Sequence, residues 1–343
     1  MTRLSDYLDH LTSVILSGAV GTGKTTIALA ILHHARIGAR FGRSRRFMRC
    51  DDLVNSSEYF LEHLSNAIGV RPTRSMEQLR PYLARLSPLM LVLDGVDCIL
   101  DPLAVESKEA ASIIEEISLH QNVCILATSR MAVNIQSFRT VEVTTPSGGG
   151  VRDVPHSPCH LDRSPAIDEL LADLDFHPLS IYLLARATSE NGWDESGLLR
   201  EWADDKTDAI ETGNRQSLEA AIKSVLASPA IRNLGFAAYE TLEAISAFPG
   251  GVEEKRVERA FPRICGVAGV VDVLCKFYLV DRRGGIVRIP PPFRFHFMHR
   301  MSTMIHVREG EGNQNHHVAE EVEPVRCTLP EQVRLLITLP LRD

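Results

Sequence analysis

Short, nearly continuous apolar runs alternate with stretches of helical period along the first 145 residues. Ser13-Val-Ile-Leu-Ser17, Leu89-Met-Leu-Val-Leu93 and Val123-Cys-Ile-Leu-Ala127 read as strands covered on both faces, because a half-exposed strand would alternate apolar and polar positions. Phe47–Cys50 and Val141–Val143 add two shorter strands. Thr26–Ala35, Ser57–Ile68 and Glu106–Leu119 place apolar residues three and four apart, as one face of a helix does. This alternation predicts a doubly wound α/β domain with a parallel sheet, ending near Thr145.

The pattern then changes. Residues 146–164 are rich in Gly and Pro, support no helix and read as an irregular linker. His156, Cys159 and His160 fall within it with no partner group elsewhere, so it is taken as linker and not as a metal site. Helical spacing resumes over 165–230, where His-Pro-Leu at 177–179 reads as a helix start and Ser217–Leu226 is the clearest helix. Over 231–297, helices are expected at Phe236–Phe248, Glu253–Phe261 and Gly266–Lys276. Strands Phe277–Asp281 and Ile286–Ile289 follow, joined by a tight Arg-Arg-Gly-Gly turn. Three helices and a hairpin predict a winged helix, and 298–343 reads as a poorly organised tail. The expected organisation is therefore 1–145, 146–164, 165–230, 231–297 and 298–343.

Composition narrows the class. A chain of 343 residues with 44% hydrophobic and 24% charged residues is an ordinary folded protein, long enough for more than one core. The net charge of -7 provides no general basic field, and a nucleic-acid partner is disfavoured. Within the winged helix, Arg256, Arg259 and Arg263 are offset by Glu253, Glu254 and Glu258. The seven cysteines never form a C-x-x-C pair, which fits a reducing interior better than a disulfide framework or zinc ribbon. Acids occupy the amino terminus where a secretory signal would be apolar, and no apolar run approaches the roughly 18 residues of a membrane span. A cytoplasmic protein without a membrane segment is expected.

Candidate chemistry lies at the first strand's end. Gly18, Gly23, Lys24 and Thr25 fit G-x-x-x-x-G-K-[ST], with a further glycine at Gly21, between a strand and a helix. Glycines let successive backbone N–H groups turn inward as an anion nest, at which the following helix directs its positive end. Lys24 would place an ammonium between β- and γ-phosphates, facing the open site, and the Thr25 hydroxyl would ligate Mg2+, with Thr26 at the α-phosphate. Asp94, at the end of an apolar strand, supplies the acid that holds that metal. Asp97 either polarises an attacking water or caps the next turn. Arg130 closes another strand at the carboxyl edge where parallel sheets bind ligands, and is a γ-phosphate sensor or a surface ion pair.

Together these pieces resemble the STAND class of P-loop NTPases, the NB-ARC and NACHT switch modules of NLR-like receptors, and look closest to fungal members. Gly18–Thr26 is similar to the family's P-loop, Leu91-Val-Leu-Asp-Gly-Val-Asp97 to its Walker B strand and Ile125-Leu-Ala-Thr-Ser-Arg130 to its sensor-one strand. Leu174-Asp-Phe-His-Pro-Leu-Ser-Ile-Tyr-Leu-Leu184 resembles the G-L-P-L segment, whose proline, here Pro178, approaches base and sugar. Two departures stand out: Gly95 occupies the place of a usual second acid, and Ile289-Pro-Pro-Pro-Phe-Arg294 lacks the histidine that touches the ADP β-phosphate, leaving Arg294 as substitute. The resemblance implies an ATP/ADP switch with slow Mg2+-dependent hydrolysis that opens and forms a homo-oligomer when ATP-bound. ATP is preferred over GTP through the resemblance and the absence of an N-K-x-D signature. A P-loop phosphotransferase or motor ATPase, and a non-hydrolysing nucleotide-bound scaffold, remain as alternatives.

Overall fold

The computed structural model describes residues 12–50, 56–101, 103, 107–145, 164–204, 222–291 and 293–298. All of them lie in one unit, Met1–Ser302. Of the expected linker (146–164) only Ser164, and of the expected tail (298–343) only Met298, are among the described residues.

Five parallel strands form the main sheet: β1 (Ser13–Ser17), β2 (Arg45–Arg49), β3 (Leu89–Asp94), β4 (Val123–Ser129) and β5 (Phe138–Glu142), in the spatial order β2-β3-β4-β1-β5. Side chains alternate between two covered faces, which is why the strands read as unbroken apolar runs. Ile15, Leu91, Leu93, Ile125 and Ala127 pack under α3 (Ser57–Ile68), α4 (Met76–Leu83) and α6 (Ser107–Ser118). Val14, Leu16, Met90, Val92 and Leu126 pack under α1 (Lys24–Leu32) and α2 (Ala35–Phe41). The expected α/β class is the observed one. The helix expected over Thr26–Ala35 is broken, however, because His34 takes an extended backbone and its Nδ1 accepts from the Arg36 amide, capping a second helix. A short α5 (Asp97–Leu100) follows β3.

Beyond the sheet lie α7 (Pro165–Asp173), α8 (Pro178–Asn191) and α9 (Glu195–Asp204), then helical residues 222–226, the only described part of the helix expected at Ser217–Leu226. Next come α10 (Pro229–Arg232), α11 (Phe236–Ser246), β6 (Val252–Glu253), α12 (Val257–Ala260), α13 (Val267–Lys276), β7 (Asp281–Arg283) and β8 (Ile286–Arg288). The small sheet has the order β6-β8-β7, antiparallel throughout, giving the winged-helix arrangement. Its turn uses Gly284 and Gly285, both at positive φ, as a two-residue hairpin requires.

Two details differ from the sequence reading. The helix expected from Glu253 begins as strand, since buried Val252 pairs with Val287, and only Val257–Ala260 is α-helical. The strand expected from Phe277 begins only at Asp281, because Tyr278 (φ 55) closes α13 with Leu279 N–H on Leu274 O and its own N–H on Cys275 O. That is a Schellman ending with tyrosine where glycine is usual. The helical segment 165–230, here called the lid, and the winged helix share one apolar cluster among the described residues that also takes in Val20 and Met131 from the sheet's carboxyl edge. No helix among the described residues is long and apolar enough to cross a membrane.

Candidate functional site

The site lies at the carboxyl edge of β1, β3 and β4, where parallel strands end and helices begin. Residues 18–23 run from β1 to the amino end of α1, with Gly23 at φ 88 as its N-cap. A Cβ at Gly23 would find nothing within 4 Å, so the positive φ and not crowding is what favours glycine there. Thr25 and Thr26 are both exposed on the first turn of α1.

Lys24 departs from the expected open position. The residue is only 7% exposed, and Nζ donates to the carbonyls of Gly18 (2.8 Å) and Ala19 (2.6 Å), so the ammonium bridges its own loop. Burial lowers its pKa to about 8, against the carboxylates of Asp97 and Asp94 and in concert with the Arg130 cation. A lysine held this way is positioned before any anion arrives.

Asp94 is buried, and its Oδ1 accepts from two hydroxyls: Thr25 Oγ1 at 2.8 Å and Thr128 Oγ1 at 2.6 Å. Thr128 in turn accepts from the Gly95 N–H at 2.9 Å. Thus β3, β4 and α1 are tied at one carboxylate oxygen. The oxygen set of Thr25 and Asp94 suits a hard divalent cation.

Asp97 and Arg130 are brought together. Asp97 Oδ1 accepts the backbone N–H of Arg130 at 2.9 Å, and Oδ2 accepts from its Nε at 2.8 Å. Arg130 extends further, donating from Nη1 to Ser224 Oγ at 3.1 Å on helical residues 222–226. The arginine therefore spans from the sheet edge to a second layer of the molecule.

Pro178 is the first residue of α8, and the residue before it makes the polar contact with the loop. His177 is 1% exposed; its Nε2 lies 2.8 Å from Val20 O and its Nδ1 lies 3.0 Å from Ser180 Oγ and 3.4 Å from Ser180 N. A carbonyl accepts only, so Nε2 carries the proton and Nδ1 accepts from the Ser180 amide as the helix cap. Burial lowers the imidazole pKa to about 4; the bond to Val20 O opposes the shift and nearby Lys24 adds to it. Leu179 N–H donates to Gly21 O at 3.2 Å, and a Cβ at Gly21 would meet His177 Cε1 and Leu179 Cβ at 2.6 Å each. Gly21 is thus required for close approach of the lid. Asp175 and Phe176, both at φ near 50, make the turn that delivers His177.

The winged helix reaches the same edge through Tyr278, whose hydroxyl donates to Ser17 Oγ at 3.1 Å, and through Ala132 N–H on Lys276 O at 2.7 Å. Arg294 does not turn to the loop: its Nε donates to Ser246 O at 2.9 Å, so the substitute for the missing histidine is bound within the winged helix. His296 packs edge-on to Phe297. Thr128, His177 and Tyr278 are the contacts that sequence reasoning passed over. A hydroxyl at the end of the strand beside Asp94 and a histidine just before a helix-starting proline were the available signals.

No protein family matches the chain at the sequence level, and no curated protein matches it. Among solved structures, the Aeropyrum pernix ORC1 protein in complex with DNA is similar at 14% identity and a TM-score of 0.45, over 89% of this chain and 92% of that one. AMPPCP-bound DnaA from Aquifex aeolicus is similar at 16% identity and 0.41, over 79% and 85%. The Walker-type ATPase paby2304 of Pyrococcus abyssi is similar at 13% identity and a TM-score of 0.56, over 87% of this chain and 94% of that one. With this last likeness and the parallel sheet behind the glycine loop, the chain has the P-loop α/β fold of a Walker-type ATPase.

Proposed function

We propose that the chain is a nucleotide switch of the STAND type, binding ADP in a closed form and ATP with Mg2+ in an open form that self-associates, with slow hydrolysis as the reset. The observation that carries this reading is the lid's grip on the phosphate loop: His177 on Val20 O and Leu179 on Gly21 O. A loop whose backbone is held by the lid cannot rearrange around phosphates without the lid responding. A ligand shifts such an equilibrium only by its differential affinity for the two forms, about 5.5 kcal/mol for 1:99 to 99:1.

In this reading the loop amides and Lys24 hold the β- and γ-phosphates, Thr26 meets the α-phosphate, and Pro178 faces base and sugar. Thr25 and Asp94 would hold Mg2+, which supplies charge neutralisation at the phosphate oxygens when bound. Arg130 senses the γ-phosphate by exchanging Asp97 and Ser224 for it. Its bond to Ser224 supports this, because leaving it would release the helical layer. Three functional bodies are proposed accordingly: nucleotide domain 1–145, lid 165–230 and winged helix 231–297.

The nucleotide carried by purified protein, identified by chromatography after denaturation, tests the first half of the reading. Bound ADP in the wild type and none in Lys24→Ala is the expected result. Solution mass in apo, ADP and ATP-analogue samples tests the second half, and an identical mass in all three refutes switching. Two observations favour a non-hydrolysing nucleotide-bound scaffold instead: both oxygens of Asp97 are engaged by Arg130, and Gly95 stands beside Asp94. Bound nucleotide with no phosphate release and the same mass in all three samples would select that alternative.

A further inference from the structure

The net charge of -7 conceals a segregation of charge. No Asp or Glu occurs from His10 to Cys50, while six arginines lie between His33 and Cys50. Arg36 and Arg40 sit on α2, Arg45, Arg46 and Arg49 on β2 and Arg43 in the turn between them, and β2 is an outer strand of the main sheet. Arg36 and Arg40, one helical turn apart, and Arg43 and Arg49 are exposed. Arg45 and Arg46 donate to the carbonyls of Leu32, Gly42 and Arg43, which keeps their charges on this flank. The choice of arginine matters, because a guanidinium fork pairs with planar anions in two bonds.

The lid has the opposite character. From Pro165 to Ala203 there are eight carboxylates against Arg186 and Arg200, and Asp168, Glu169, Asp173, Glu190, Asp194 and Glu201 are exposed. Thr145 Oγ1, just beyond β5, donates to Asp175 Oδ2 at 3.4 Å, so the lid borders the sheet at the end opposite β2. The lid thus borders β5 while the arginines lie on or beside β2, at opposite ends of the strand order.

We infer that a second copy of this chain seats its acidic lid on the arginine edge of the first, a head-to-tail contact. This names the interface of the self-association proposed above and rests on that reading. A contact between two different patches leaves one of each open at the ends of every assembly, so it propagates into a ring or filament and does not stop at a closed dimer. Nothing exposed on the arginine edge offers an aromatic platform for bases, whereas a complementary acidic surface is present on the chain itself.

The test uses two charge reversals at residues outside the phosphate site: Arg40→Glu with Arg43→Glu, and Glu169→Lys with Glu201→Lys. Solution mass is measured with an ATP analogue and Mg2+ at roughly 50 mM and roughly 500 mM salt, the latter screening charges beyond a few ångströms. Thermal melting and circular dichroism verify that each variant is folded. Wild type should associate at low salt and dissociate at high salt, each variant alone should remain monomeric, and an equimolar mixture of the two should associate again.

A wild type monomeric at both salts, a variant that associates like the wild type, or a mixture that stays monomeric overturns the inference. Binding of a labelled DNA oligonucleotide that the arginine variant loses, with self-association unchanged, would give the edge to nucleic acid and also overturn it. Association rescued by mixing but identical in apo, ADP and analogue samples removes the switch and leaves this interface. Nucleotide-dependent association indifferent to both reversals does the converse.

Discussion

His177 and Val20 are 157 residues apart in sequence and share a buried 2.8 Å hydrogen bond. The bond joins the N-cap of α8 in the lid to the peptide immediately before Gly21, so the loop's shape and the lid's position are one structural variable. It also fixes the tautomer: a neutral ring donating from Nε2 and capping α8 through Nδ1.

The depressed pKa of His177 makes stability depend on pH. Folded, the imidazole takes its proton only near pH 4; unfolded, it does so near 6.5. Between those values the unfolded chain binds more protons, so stability is intact above about 6.5 and falls as pH drops toward 4, by on the order of 3 kcal/mol in total. Urea midpoints at pH 7 and pH 5 should converge in His177→Gln relative to wild type. An equal loss in both proteins would show that the histidine is not the titrating group.

Gly21 and Gly23 are both at positive φ but should respond differently to alanine. Gly21→Ala drives a methyl into His177 and Leu179 and should cost about 2–5 kcal/mol of melting stability, combining overpacking with the left-handed penalty. Gly23→Ala meets no atoms and should cost only the left-handed penalty, about 1–2 kcal/mol. Equal melting losses would mean that the lid does not press on the loop.

Thr128→Val preserves shape but removes the hydroxyl that joins Asp94 to the Gly95 amide. The partly buried N–H left behind costs about 1 kcal/mol, the low end of the range for an unsatisfied donor. Turnover of ATP should fall further than ATP affinity, because Asp94 loses one of two hydroxyls that orient it. Isothermal titration alongside phosphate release checks this, and unchanged turnover would exclude Thr128 from positioning the carboxylate.

Lys24→Ala leaves the carbonyls of Gly18 and Ala19 without their ammonium, a cost of about 1–3 kcal/mol. Nucleotide affinity should fall by roughly ten- to a hundredfold or more, as loss of a charged contact implies. Retained affinity in titration calorimetry would remove Lys24 from the site.

Asp97 and Arg130 should be strongly coupled. Each alanine substitution strands a partly buried opposite charge, so the double variant should be more stable than the sum of the single losses predicts, by about 1–2 kcal/mol. A cycle of four urea titrations measures it, and additivity would make the pair a surface contact.

Much of this was legible in the sequence for a physical reason. Strands covered on both faces cannot hide among polar residues, so β1, β3 and β4 were read to within a residue or two. A glycine loop before Lys24 and an acid at the end of an apolar strand are local patterns. The remaining contacts are not local: Thr128 meets Asp94 across 34 residues, and Tyr278 meets Ser17 across 261. His34 as a cap, Tyr278 as a helix stop and the fold-back of Lys24 each set side-chain chemistry against periodicity, and periodicity carries no information about them.

The strand order has a consequence for the chain during synthesis. β1 pairs only with β4 and β5, so the segment bearing the phosphate loop must wait for Val14 to meet Leu126, over a hundred residues later. At roughly 5–20 residues per second, that is about 5–20 s during which an apolar strand has emerged without its partner. Newly made chain is therefore most dependent on chaperone protection before β4 is synthesised, and ribosome stalling between β3 and β4 should be the interval most prone to aggregation.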